Sequence, residues 1–434
     1  MKKTIAILLV LCLLGGAAAG YFYGQGKATP ADSGITGGAD EPTEILVTDG
    51  EEPEPAEQPT LLPAEAEAEA PAEQPDAAAE LPELKLLDYE KLYHSHELDE
   101  VVAQVGGRDV SWGEYCYMLM QATSQVENHF LQLYNYYGMN SSWNEEVPDG
   151  EGETYAQLAV ENAEQNLRFF AAIRQNAEEN DVSLSEESLT SLETKLQQDI
   201  VNTCGEDATE EDFNDYLESI FLTRELYDEM NEISLLYQEG FIQKYGANGE
   251  NQSEETALKW LQDNEYLSCT HILLMTVDPS SLEELDEAAA AEKQAKAEEL
   301  AKELQAIEDP EQRLARFREL KEELCEDTGK TVYPNGYTFK PGTMVPEFED
   351  TTLAMKEYQV SDPVKSDYGW HVIMRLPLDP DAVIDFSSGG LPMTGRSYSA
   401  NETYAAEMQQ RFDALTLSYA EGFEAPDLTA FVEE

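Results

Sequence analysis

The sequence predicts an α+β fold class, in which a disordered acidic linker leads into an all-α region and then a smaller α+β domain. Three observations support this prediction. Residues 25–88 are rich in Pro, Ala and Glu, residues 89–262 carry apolar positions at helical spacing, and residues 263–380 begin and end with apolar, strand-like runs. The 434 residues are enough for two or three domains.

The charge balance of the chain is strongly acidic. Its 89 acidic and 26 basic residues give a formal net charge of −63. A field of this sign repels nucleic acids and anionic membrane surfaces, and it tolerates neutral or basic partners. We therefore expect no nucleic acid partner.

The N-terminus reads as a secretory signal or a signal anchor at residues 1–24. Two lysines precede the uncharged run Ile5–Tyr23, which is about long enough to span a bilayer. The small residues of "GGAAAG" fit a cleavage site, whereas the aromatic cluster "YFYG" favours a retained anchor. Either alternative predicts an extracytoplasmic protein, which is anchored to the cell membrane in one case and secreted in the other.

The linker at residues 25–88 has too few large apolar residues to offset the entropy of ordering. It acts either as a stiff, self-repelling spacer from the membrane or as plain disorder without a spacing role.

The region at residues 89–262 starts with a short strand, Val101–Val105, a Gly-Gly turn and a second strand. Ser111, followed three residues later by Glu114, predicts a capping box that opens a helix. Further helical patterns follow, one of them opening at Ser185, and residues 209–246 predict a single long helix. These helices predict a bundle with acidic outer faces.

Residues 263–380 predict one compact domain with the order strand, helix, helix, loop, short helix, strand. The run "YLSCTHILLMTV" gives the first strand, Asp309-Pro310 caps the second helix, and "YGWHVIMRL" gives the closing strand. A loop and an amphipathic helix at 381–434 are expected to pack on the helical region.

Four motifs in this domain occur in a characteristic order: "THILL", "EDTG", "GTMVPEFED" and "DPVKSDYGWHVI". Together, over residues 266–378, they resemble the parvulin peptidyl-prolyl cis-trans isomerases. The resemblance implies a small antiparallel sheet with surrounding helices. The whole chain resembles exported foldases of the PrsA and SurA kind, whose helical chaperone regions start much like "VVAQVGGRDVSWGEY".

The resemblance also implies roles for particular residues, without metal or cofactor. Two neutral histidines lie side by side beneath the substrate amide, a polar network fixes their tautomers, and apolar side chains hold the proline ring. The implied catalytic residues are His271, Asp327, His371 and Ser366, and the implied proline-pocket residues are Met344, Phe348, Phe339 and, in a lesser role, Tyr368.

One stretch departs from the family pattern. Where many parvulins carry Gly-Gly-x-Leu-Gly, this chain reads "PNGYTF", so Tyr337 or Phe339 is expected to fill the missing wall of the pocket. An arginine-rich loop for phosphate is also missing, because acids and alanines follow the first strand. These differences concern substrate preference and rate, not the fold.

Simpler interpretations exist for each element of the site. The two histidines could be satisfied core residues, Met344 and Phe348 plain core, and Asp327 an ordinary turn residue. No CxxC spacing occurs, and the cysteines beyond the N-terminal run are predicted to be ordinary buried residues: Cys116, Cys204, Cys269 and Cys325. A contact between Cys269 and Cys325 is conceivable, without a predicted disulfide bond.

The predicted function is an extracytoplasmic foldase that isomerises X-Pro bonds by a noncovalent, twisted-amide mechanism. Its predicted partners are unfolded or partly folded secreted polypeptides, together with the membrane through the N-terminal anchor. The alternative is a peptide-binding holdase whose parvulin domain is inactive. The oligomeric state is open, with a dimer as one option.

Overall fold

The computed structural model describes residues 85–148, 152–278, 280–281, 283–387 and 390–433. The predicted anchor at 1–24 and the linker up to residue 84 lie outside these residues. Within them, no helix is long and apolar enough to cross a membrane. The described residues fall into two compact units, one formed by 85–240 with 406–433 and the other by 241–405.

The first unit is built mainly from helices. Its elements are α1 (Tyr89–Tyr93), β1 (Val101–Val105), β2 (Arg108–Ser111), α2 (Trp112–Tyr137), α3 (Tyr155–Glu179), α4 (Glu186–Cys204), α5 (Glu210–Ser219) and the start of α6 (Arg224–Tyr245). The Ser111 and Ser185 hydroxyls cap their helices, since they accept the N–H groups of Glu114 and Ser188. The predicted capping box at Ser111 is only half formed, because the Glu114 carboxylate accepts from Arg108 and Arg174 instead. At α3, the Thr154 and Gln157 side chains form a reciprocal capping box.

The prediction of one long helix over 209–246 is wrong. The chain breaks between α5 and α6, where Phe221 adopts a left-handed φ of 62°. Thr223 then opens the next helix, because its hydroxyl accepts the Leu226 N–H at 3.2 Å. Apolar periodicity continues through the break, since Phe213 and Leu217 before it and Leu226 after it share one buried cluster.

The C-terminal residues return to the first unit. There β9 (Leu417–Tyr419) pairs antiparallel with β1, and β1 pairs on its other side with β2. The Arg168 guanidinium donates to the carbonyls of Phe412 and Leu415 at 3.0 and 3.1 Å. The last residues assigned to the disordered linker are ordered, because Leu87 is buried and forms a bridge with Val432.

The second unit surrounds an antiparallel sheet in the order β4-β3-β6-β5. Its elements are the end of α6, α7 (Glu254–Asp263), β3 (Leu267–Met275), α8 (Glu287–Gln305), α9 (Pro310–Leu324), a 3-10 turn (Thr328–Thr331), β4 (Tyr337–Phe339), α10 (Pro346–Ala354), β5 (Val364–Lys365), β6 (Gly369–Leu376), β7 (Val383–Phe386), β8 (Pro392–Thr394) and the start of α11 (Gly395–Ala414). The predicted α+β class is confirmed, and the predicted element order gains the short strands β4 and β5.

The compact units do not follow the predicted boundaries at 262/263 and 380/381. Residues on both sides of those positions make their contacts within the second unit. Trp260 Nε1 donates to Glu402 at 2.6 Å, and the Arg396 guanidinium donates to the carbonyl of Gln252 at 2.7 Å. These side-chain contacts join α7 to α11, so the divisions fall at 240/241 and 405/406 instead.

Candidate active site

The two histidines of the sequence motifs meet on the central strand pair of the second unit. In the β3–β6 register, His271 faces Ile373 and Leu273 faces His371, so the two imidazoles are diagonal neighbours on one face of the sheet. Their Nδ1 atoms lie 3.4 Å apart and their ring centroids 5.2 Å apart. Both residues have 0% exposed surface. The register of two antiparallel strands thus joins residues that are a hundred positions apart.

Asp327 holds the first histidine. Its Oδ2 lies 3.0 Å from His271 Nε2, and its Oδ1 accepts the Gly329 N–H at 2.8 Å as the cap of the 3-10 turn. The Tyr337 hydroxyl donates to Oδ2 at 2.6 Å. These three donors satisfy a buried carboxylate, which would otherwise be costly to desolvate. Asp327 is therefore more than an ordinary turn residue.

Ser366 holds the second histidine. Its hydroxyl lies 2.7 Å from His371 Nε2 and accepts the Tyr368 N–H at 3.2 Å. The turn before β6 places this group, since the Ser366 N–H donates to the Gly369 carbonyl at 2.9 Å. A continuous hydrogen-bonded chain runs from the Asp327 carboxylate through His271 and His371 to the Ser366 hydroxyl.

Electrostatics give the two imidazoles different charges. Burial by itself lowers the pKa of His271, but the hydrogen bond to the Asp327 carboxylate, together with the neighbouring Cys325 thiol, outweighs it and raises that pKa to about 10. The same bond, against the opposing effect of burial, leaves the pKa of Asp327 below its usual value. Burial and the neighbouring His271 charge lower the pKa of His371 well below 6.5. The expectation of a neutral ring therefore holds for His371, whereas His271 favours an imidazolium.

The predicted proline-pocket residues lie directly against the imidazoles. The Phe348 ring meets both rings edge-on, with centroids 5.1 Å from His271 and 5.4 Å from His371. Phe339 packs on Phe348 at 6.4 Å, and Met344 belongs to the same buried cluster. All three are buried, with Met344 the most exposed at 8%. The chain's own side chains thus close the expected slot.

Tyr368 is placed differently. Its backbone N–H contacts Ser366, but its side chain packs against the cluster of the β3, α8 and α9 core, which includes Ile272, Leu300 and Phe317. Met344 and Phe348 belong to a separate cluster. The contacts therefore give Tyr368 a backbone role beside Ser366.

Two residues that contact the site, Tyr337 and Cys325, were not predicted from the sequence to do so. Tyr337 is anticipated only as a pocket wall, yet its hydroxyl binds Asp327. The Cys325 thiol accepts the Leu273 N–H at 3.3 Å and donates to the His271 carbonyl at 3.8 Å. It forms no disulfide bond, and neither do Cys116, Cys204 and Cys269. The spacing Cys325-x-Asp327 is the one sequence signal that pointed towards it.

Comparison with known families assigns this part of the chain. Residues 271–376 match the family described as Rotamase, the PPIC-type PPIASE domain. This stretch is therefore a parvulin-type domain, and the resemblance seen in the motifs is confirmed. The match includes both histidines, Asp327, Ser366 and the pocket residues.

Parts of the chain are similar to foldases and chaperones. It is 29% identical to the foldase protein PrsA of Oceanobacillus iheyensis over 226 residues, which cover 51% of this chain and 62% of that protein. It is 36% identical to the chaperone SurA of Pseudoalteromonas translucida over 63 residues, which cover 14% of this chain and 15% of that protein. The crystal structure of PrsA from Bacillus subtilis is 14% identical, with a TM-score of 0.23, over 73% of this chain and 91% of that one.

Proposed function

We propose that this protein is an extracytoplasmic foldase whose second unit catalyses cis-trans isomerisation of X-Pro bonds in unfolded polypeptides. The observation that carries the proposal is the hydrogen-bonded chain from Asp327 to Ser366, with both imidazoles against the Phe348 ring. The rotamase domain match and the similarity to PrsA and SurA support it. The uncharged N-terminal run supports export, by a retained anchor or by secretion.

The chemistry needs no covalent step. Rotation about an X-Pro amide passes a barrier of about 18–20 kcal/mol, because the C–N double-bond character is lost at the twisted state. A site accelerates the rotation when it binds the twisted amide better than the planar one. Enclosure among Phe339, Met344 and Phe348 removes water that stabilises the dipolar planar form.

The polar chain fixes the imidazoles in place. With His271 as an imidazolium, its Nε2–H donates to Asp327 and its Nδ1–H donates to Nδ1 of His371. The remaining His371 proton then lies on Nε2 and is donated to Ser366. Each ring N–H in this arrangement has an acceptor, so the hydrogen bonds hold both imidazoles in fixed orientations beneath the substrate.

Entry of a proline ring requires the closed slot to open. Met344 is the most exposed of the three pocket side chains and carries a flexible thioether. We expect its side chain to swing away while Phe348, which contacts both imidazoles, stays in place. A Met344→Val variant, whose stiffer side chain swings less freely, should raise KM for a proline peptide more than it lowers kcat.

The direct test is a protease-coupled isomerisation assay on the full chain with a short proline peptide. His271→Ala should lower kcat/KM by at least about tenfold, or about 1.4 kcal/mol of transition-state stabilisation. The matched control is His94→Ala, an exposed histidine of the first unit, which should leave the rate unchanged. Equal rates for wild type and His271→Ala would contradict the proposal.

The closed pocket favours one alternative, a holdase with an inactive parvulin domain. That alternative predicts no isomerisation above the uncatalysed rate for the wild-type chain. It also predicts that the same sample still suppresses aggregation of a refolding protein. Measurable catalysis in the wild type, lost in His271→Ala, would exclude it.

A further inference from the structure

A second candidate site lies in the first unit. Helices α2, α4, α5 and α6 line a cavity of about 300 Å³ that is open to solvent. Its floor includes the buried side chains of Phe213 and Leu217, and its rim includes Tyr216 and Ile220, which are 38% and 41% exposed. Exposed apolar side chains around a concave site are typical of binding surfaces. The cavity shares no residue with the proposed isomerase site.

The lining combines aromatic rings with one carboxylate. The rings of Tyr117, Tyr216 and Tyr227 face the cavity together with Asp199. The Tyr227 hydroxyl donates to Asp199 Oδ2 at 2.5 Å. A cation gains from both groups, since π faces attract positive charge and a carboxylate pairs with it.

A basic side chain of the protein itself, Lys195, already lies beside Asp199 and the Tyr227 ring. Lys195, one turn before Asp199 on α4, places its Nζ 2.5 Å from Asp199 Oδ2 and 5.9 Å from the centre of the Tyr227 ring. Its side chain is 43% exposed, so little packing holds it there. An incoming basic side chain can therefore replace it at modest cost.

The charged residues near the cavity strengthen its preference for cations. Helix α5, which supplies most of the floor, reads EEDFNDYLES and carries acidic residues without a basic one. The nearby Arg224 is engaged by Glu210 and Asp228. With a net charge of −63 for the chain, the field at the mouth favours cationic ligands.

We propose that this cavity binds the side chain of an arginine or lysine from an unfolded polypeptide. The aliphatic stem lies on Phe213 and Leu217, and the charged group lies between Asp199 and the tyrosine rings. A volume of about 300 Å³ is at the low end of ligand pockets, which suits one side chain better than a larger ligand. The choice of an unfolded polypeptide rests on the proposed foldase function, whereas the cation preference rests on the cavity alone.

The test uses the full chain and fluorescent, proline-free peptides of identical sequence, with a central arginine, lysine or norleucine. Fluorescence anisotropy should show the basic peptides binding at least about fivefold more tightly than the norleucine peptide. Asp199→Asn should abolish that difference. Tyr216→Ala should weaken binding of the basic peptides about fivefold, and Tyr216→Phe should retain it because the ring is kept.

The matched control is Asp228→Asn. Asp228 also forms an ion pair with a basic residue four positions away, but it does not line the cavity. If Asp228→Asn reduces the preference as much as Asp199→Asn, the peptides bind by net charge and the cavity proposal is wrong. Equal affinity for all three peptides would overturn it too, provided that circular dichroism melts show each variant folded.

The isomerase site is tested separately in the same samples. His271→Ala should leave the arginine preference intact, because no residue of the cavity belongs to the second unit. Loss of the preference in His271→Ala would contradict an independent cavity. Loss of isomerisation with retained preference would leave the cavity proposal standing.

Discussion

Both units bury a carboxylate in a polar cluster, and the clusters around Glu114 and Asp327 differ in kind. Glu114 of the first unit and Asp327 of the second are both 5% exposed. Glu114 is paired with Arg108 at 2.9 Å and with Arg174 at 3.3 Å, and both arginines also contact Glu229. Asp327 is paired with a histidine, a tyrosine hydroxyl and a backbone N–H.

The difference lies in the titration of the partners. Arginine stays charged at every pH of interest, so the ion pairs of Arg108 and Arg174 join α2, α3, α6 and β2 without a titratable base among the partners. Histidine can gain or lose its proton, and the Asp327 cluster passes directly into the imidazole chain. A buried charge with permanent partners serves the fold, and one with titratable partners can serve a site.

Breaking the arginine cluster should have the largest effect. Glu114→Gln removes the buried counter-charge of Arg108 and Arg174, which keep the partly exposed Glu229, and should destabilise the first unit by about 3 kcal/mol. Amide hydrogen exchange of residues 101–179 in urea, resolved by mass spectrometry, measures this unit by itself. Glu210→Gln, an exposed partner of Arg224, is the control and should cost less than about 1 kcal/mol. Equal losses in both variants would refute the distinction.

The titratable cluster around Asp327 should instead make the unfolding free energy of the second unit depend on pH. The pKa of His271 is about 10 in the fold against 6.5 unfolded, so its stabilisation is full below pH 6.5 and is lost as the pH rises towards 10. The depressed pKa of His371 has the opposite sign, and stability falls as the pH drops below 6.5. The plot of unfolding free energy against pH therefore has an alkaline limb, due to His271, and an acidic limb, due to His371. The slope of each limb is at most about 1.4 kcal/mol per pH unit.

Variants separate the two limbs. Asp327→Asn should flatten the alkaline limb, because the partner that holds the His271 proton is gone, and His371→Gln should flatten the acidic one. Hydrogen exchange of residues 267–275 between pH 5 and 9, corrected for intrinsic exchange rates, measures the slopes of both limbs. An unchanged alkaline limb in Asp327→Asn would contradict the imidazolium assignment.

A smaller effect is expected at Tyr337. Tyr337→Phe removes one donor from the Asp327 carboxylate while the ring packing remains. It should cost about 1.5 kcal/mol, since hydrogen bonds to charged groups are stronger than average. Urea unfolding of the second unit measures the loss, and His271→Ala combined with Tyr337→Phe should be less than additive if both act through Asp327.

The smallest effect is expected for a fully solvated pair. Lys259 and Asp263 on α7 lie 2.5 Å apart but are 69% and 60% exposed. Lys259→Ala should change the unfolding free energy of the second unit by less than about 0.5 kcal/mol. A loss above about 1 kcal/mol would show that exposure does not separate the weak ion pairs of this protein from the strong ones.

The sequence was a good guide wherever the physical determinant is local. The apolar strand runs, the Ser111 and Ser185 caps and the Asp309-Pro310 helix start follow from neighbouring residues, and the four motifs located the histidine pair. The turn at Phe221 was missed because apolar spacing continues through it. The link between Tyr337 and Asp327 was missed as well, since it depends on how β4 and the 3-10 turn are placed in space.

The pairing of β1 with β9 has a consequence for the order of synthesis. The first unit needs residues 417–419 to complete its sheet, yet the whole second unit lies between them and residue 240. On a chain that emerges from its N-terminal side, the second unit can reach its native form while the first still waits for its closing strand. Under the proposed function, the isomerase unit would be finished before the helical unit of the same chain is complete.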